Sequence, residues 1–226
     1  ESLKKNWNVN KMRGSIPVRY YKSFTAVNTA FLYSLSADKK WAEISKKHTE
    51  FIIKSSGEWA VDAFGLRLYI RGRCIALAYD MCYDAWDEPF RKMVSKELKK
   101  HADFIFEDGG RSQNKSKASN WQVARVASAG LCLLACDEKA VDDTIQQAWK
   151  HTKEYFENNF GENPIKNSGW NSEGVGYQYF ALGNFAGPFS IAMTRTGAED
   201  IRQTMPQVSN SLWTIYATTV NIPSIN

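Results

Sequence analysis

The 226-residue sequence has no run of eighteen apolar residues, so no segment reads as a membrane-spanning helix. Its opening stretch, ESLKKNWNVN, lacks the apolar centre of a signal peptide. Like charges never run five or six together, and the net charge of +5 is spread along the chain. That excludes a dedicated nucleic-acid arm and leaves a polyanionic partner open. Cysteine is scarce: Cys74, Cys82, Cys132 and Cys136 all lie in apolar stretches, with no metal-type pairing to histidine and no disulfide framework. They read as small core residues and leave the redox compartment open. The three histidines, His48, His101 and His151, fall on charged segments and share no ligand spacing, which argues against a metal site and against a histidine base. Nucleophile elbows, phosphate loops and strand-like alternation are missing as well.

What the chain does have is apolar mass in helical register. Hydrophobic residues make up 43% and aromatics 13%, enough for a substantial core in a single domain spanning residues 1–226. The eight tryptophans read mainly as packing residues, although flat rings also suit sugar faces. From residue 24 onward the layout repeats: an apolar helix, a short acidic turn, a more charged helix, then a loop rich in Gly, Ser and Asn. The apolar members contain FTAVNTAFLYSLS, LRLYIRGRCIALAYDMCYDAW, ASNWQVARVASAGLCLLA and EGVGYQYFALGNFAGPFSIAMTR. In the fourth unit Pro206 is expected to kink or split the second helix.

A helix that is apolar almost all round must be covered on most sides, whereas a one-sided helix lies at the surface. The pattern therefore predicts an all-α fold of about four hairpins, with apolar helices inside and charged helices outside, as in an incomplete α/α toroid. If the inner helices run the same way, the long loops that precede them share one rim. Binding residues tend to sit on such loops.

On that rim the third inner helix opens with Ser119, Asn120, Trp121 and Gln122, followed by Arg125. The fourth opens with Glu173, Gly174, Gly176, Tyr177, Gln178 and Tyr179, after Trp170 in the preceding loop, and the second offers Arg67, Tyr69, Arg71 and Arg73. Guanidinium forks, an amide and aromatic faces suit a sugar that carries carboxylates. Capping accounts equally for Ser119 or Asn120, and packing for Tyr177 and Tyr179. The paired glycines, costly in a helix, point instead to a close approach of backbone or ligand. With no histidine on the rim, a tyrosine becomes the candidate base. An ordinary phenol ionises near pH 10, so such a base requires a cation nearby. Proton abstraction beside a carboxylate, with an amide stabilising the enolate-like charge, is the chemistry of β-elimination from a uronate.

Three stretches, ALAYDMCYDAW at 76–86, SNWQVARVASAGLCLLAC at 119–136 and EGVGYQYFALG at 173–183, resemble the α/α-toroid polysaccharide lyases, the heparinase II/III-like and oligoalginate lyase group. The resemblance implies that Asn120 neutralises the substrate carboxylate and that Tyr177 takes the C5 proton, with Glu173 and Gly174 positioning the tyrosine. Trp121, Arg125, Gln178, Arg71, Arg73 and Trp170 would then contact the substrate, an acidic polysaccharide or oligosaccharide. It further implies no redox cofactor, a periplasmic or secreted location, and a C-terminal β-sandwich packed against the toroid that this chain, ending NIPSIN, does not include. Trp121 stands where the oligoalginate lyases have a histidine, a departure that weighs against alginate as the substrate. A toroid glycoside hydrolase using Asp62 and Glu173, a uronate epimerase and a non-catalytic acidic-glycan-binding domain are the competing expectations.

Overall fold

A computed structural model describes residues 16–54, 66–107, 119–136, 142–161 and 174–211, and every regular element among them is helical. The first hairpin is α1 (Ile16–Ser36) and α2 (Lys39–Lys54). The second is α3 (Leu66–Met81), a 3-10 turn at Tyr83–Ala85 and α4 (Glu88–Glu107). The third is α5 (Asn120–Ala135) and α6 (Asp143–Phe156), which runs on into a π-helical turn at Glu157–Gly161. The fourth opens with α7 (Val175–Ala181), a π-helical turn at Leu182–Ala186 and α8 (Gly187–Arg195), followed by α9 (Ile201–Thr204) and a last helical stretch at 206–211.

Helix α1 is already helical at Ile16, ahead of the periodicity that begins at residue 24. Pro206 does split its helix. Met205 is driven to an extended conformation (φ −125°, ψ 91°), and the chain resumes helically at the proline.

Specific bonds give the helix directions. His101, late in α4, faces the Leu68 carbonyl early in α3 at 3.3 Å, so α3 and α4 are antiparallel. Arg125 near the start of α5 donates to the Phe106 carbonyl at the end of α4 (2.7 Å), and the Cys136 thiol just past α5 donates to the Ser95 carbonyl further back in α4 (3.4 Å). Helices α3 and α5 therefore run the same way. Helix α7 packs on α5, and Phe189 in α8 meets Gly130 late in α5, so the fourth inner helix follows the same direction. Thus α3, α5 and α7 all begin at one end of the molecule.

The expected inside–outside asymmetry holds for α3 and α5 and fails for α7, in which only Gln178 and Ala181 are buried. Every residue from Val126 to Leu133 of α5 is buried, while α2 buries one stripe, Ala42, Ser45, Thr49, Ile52 and Ile53. Close packing relies on small residues. A Cβ added at Gly72 would come within 2.6 Å of the His101 ring, and one at Gly130 within 2.4 Å of the Phe189 ring. Helix α1 departs from the pattern: Tyr21, Phe31 and Leu35 are exposed, because among the described residues no earlier hairpin lies against its outer side. All four cysteines are buried free thiols, and burial pushes Cys82 up to about 11.

Candidate functional site

The start of α5 is tightly organised. Ser119 adopts an extended conformation and its hydroxyl accepts from the Trp121 amide at 3.2 Å, so Ser119 is the N-cap. Asn120, the first helical residue, is therefore not spent on capping, and its side chain is buried with 1% of its surface exposed. Trp121 and Gln122 are half-buried beside it. Arg125 is committed to backbone, donating to the Phe106 and Ile105 carbonyls and to Gln122 Oε1. It closes the C-terminal turn of α4, whose carbonyls lack partners within the helix. Burial lowers its pKa from the usual guanidinium value.

The start of α7 is open by contrast. Gly174 caps the helix at φ 93°, a conformation that L side chains rarely adopt, and its carbonyl accepts from the Gln178 amide at 3.0 Å. No described atom lies within 4 Å of a Cβ placed at Gly174 or Gly176. The glycines are expected to mark a close approach of backbone or ligand; no described backbone approaches either one, and the backbone angle alone accounts for Gly174. Gln178 is fully buried and donates from Nε2 to the Ser211 carbonyl (2.8 Å), anchoring α7 to the final helical stretch. The rings on either side point outward: Tyr177 is 52% exposed and Tyr179 67%. Core packing therefore does not explain these tyrosines.

Beneath the helix starts lies a cationic interior. Arg71 and Arg73 were expected at the mouth, yet both are buried, with Arg73 roughly 10 Å along α3 from its first residue at 1.5 Å per residue. Arg73 Nη1 donates to Asn184 Oδ1 at 3.0 Å, while Asn184 Nδ2 donates to the Phe180 carbonyl at 3.0 Å, so the amide can offer only its oxygen to the arginine. No carboxylate among the described residues pairs with Arg73. Asn184 sits in the π-helical turn at Leu182–Ala186, a local widening often found at functional positions. Sequence reasoning did not single it out. Its one signal was an asparagine, a poor helix former, between Gly183 and Phe185 in an otherwise apolar helix. His101 lies close by, against the backbone of α3. Burial, aided by the Arg71 charge, holds its pKa down to about 3, which leaves the ring neutral.

The starts of α5 and α7 thus bring Asn120, Trp121, Gln178 and Tyr177 to one end, with Arg71 and Arg73 deeper and Arg125 turned toward α4. Trp170, Glu173 and Asp62 fall outside the described residues. Among the described residues no three His, Cys, Asp or Glu side chains cluster as metal ligands, and no helix is long and apolar enough to cross a membrane. No protein-family model matches the chain, and no curated protein matches it significantly.

Proposed function

We propose that the chain is the toroid domain of a polysaccharide lyase that cleaves a uronate-containing glycan by β-elimination. In this reading the carboxamide N–H of Asn120 holds a carboxylate oxygen of the sugar. Tyr177, as its phenolate, removes the proton from C5, the electron pair forms the C4–C5 double bond, and the C4–O bond breaks, its oxygen taking that proton from the phenol so formed. Stabilising the enolate-like charge is the step that an amide donor accelerates most.

The observation that carries the reading is the parallel packing of α5 on α7, with Asn120 and Tyr177 each in the first turn of its helix. A further feature supports it: about half of the Tyr177 surface is exposed, so its phenol is open to solvent. Arg73, a buried cation without an acidic partner among the described residues, adds a long-range pull on an anion at the mouth. At about 10 Å and an effective dielectric of about 20, that attraction is worth about 1–2 kcal/mol.

The test is to incubate the protein with a panel of uronate polymers and follow the ultraviolet absorbance of the unsaturated product. The wild type forms it and Tyr177→Phe forms it about 10³-fold more slowly, while both melt at the same temperature. Undiminished activity in the variant removes Tyr177 from the mechanism. The outward tyrosine pair also supports a non-catalytic reading, a surface on which sugar rings stack. Binding of acidic oligosaccharide with no unsaturated product from any polymer selects that reading.

A further inference from the structure

At the other end of α3, away from the starts of α5 and α7, the side chains of α4 border a groove of about 560 Å³. Its lining is Tyr79, Tyr83, Glu88, Arg91, Lys92, Ser95, Lys96 and Lys99, four cations against one carboxylate. Glu88 is bonded to Lys92 Nζ at 2.6 Å and also lies within reach of the Arg91 charge, so one carboxylate is shared between two of the four cations. Arg91 and Lys96 make no ion pair with any described carboxylate. Arg91 is also held in place: its guanidinium lies 4.2 Å from the Tyr83 ring centre, and Nη1 donates to the Tyr83 carbonyl at 3.4 Å. Tyr83 is braced in turn by an edge-on contact with buried Tyr79 (5.6 Å between ring centres). Part of the entropy cost of ordering a long cationic side chain is therefore met before any ligand arrives.

We propose that this groove binds a sugar-sized ligand carrying at least two phosphate or sulfate groups. Its volume falls in the range of small-molecule pockets. The cations from Arg91 to Lys96 extend about 7–8 Å along one helix face, a spread that two anionic groups on one sugar ring can match. Tetrahedral oxyanions present oxygens in several directions, which suits lysine ammonium groups around a fixed guanidinium.

Calorimetric titration of the whole protein with fructose 1,6-bisphosphate and with sucrose octasulfate tests the proposal and tells phosphate from sulfate. Saturable binding of either probe is expected, weakened at least tenfold in Arg91→Ala/Lys96→Ala and in Lys96→Glu alone. The latter alters an exposed side chain, and unchanged melting temperatures show that the variants fold. Lys47→Ala/Lys150→Ala, which removes equal charge from exposed positions elsewhere, is expected to bind within twofold of wild type. Absence of binding by both probes, or an equal loss in that control pair, overturns the proposal.

Discussion

Helices α5 and α7 begin side by side, yet they begin differently. The α5 start is closed: a serine cap, a buried asparagine, and an arginine bound to the end of α4. The α7 start is open: a glycine cap without a side-chain bond, followed by two tyrosines that face away from the core. A group that must hold a substrate carboxylate in one place gains from rigid surroundings, and a base that must reach a ring proton gains from access. The contrast teaches that neighbouring helix starts can differ in rigidity and access, which the proposed reaction would use for positioning and for proton transfer.

Substitutions that break this contrast differ in size. Tyr177→Phe is expected to lower unsaturated-product formation by about 10³-fold, in the range of general acid–base contributions, with no change in stability, since the ring is exposed. Asn120→Ala is expected to cost about 10²–10³-fold in turnover, as for the loss of one charge-stabilising donor. Unlike the tyrosine change, it also costs about 1–3 kcal/mol of unfolding free energy, measured in urea, because a buried polar group is removed from its setting.

The closed interior has a pH signature. His101 is neutral in the folded protein, its pKa held down to about 3 by burial, whereas in the unfolded chain it takes a proton below about pH 6.5. The unfolded state then binds more protons, so stability falls with pH by about 1.4 kcal/mol per unit below pH 6.5. Urea midpoints for wild type and His101→Gln, compared between pH 7 and pH 5, isolate this slope from other groups such as His48. A slope that survives the substitution contradicts the assignment.

Smaller effects refine the two helix starts. Gly174→Ala is expected to destabilise by about 1–3 kcal/mol through its positive φ, with no described atom within 4 Å of the added Cβ. Ser119→Ala is expected to cost about 1 kcal/mol through loss of the cap. Both are read from thermal unfolding. A neutral Gly174→Ala would show that the start of α7 relaxes to another conformation.

Much of this was legible in the residue order. Helical period, the all-round burial of α3 and α5, and the break at Pro206 follow from local rules, because side chains three and four apart share a face wherever the helix lies. The alternation of buried Gln178 with exposed Tyr177 and Tyr179 was not legible, since it depends on the Ser211 carbonyl far along the chain. The depth of Arg73 and its bond to Asn184 were hidden for the same reason: the partner is 111 residues away and is presented by a π-helical turn that leaves no pattern in the sequence. Arg125 looked like a substrate cation because its alternative partners, two carbonyls of α4, carry no side-chain signature.

The most direct test is a crystal structure of the Tyr177→Phe protein bound to a uronate oligosaccharide. A sugar carboxylate about 3 Å from Asn120 Nδ2, with C5 of the same ring facing the aromatic ring at 177, is the result expected here. A sugar held without contact to Asn120, or an Asn120 side chain that stays sealed from the bound ligand, contradicts the account.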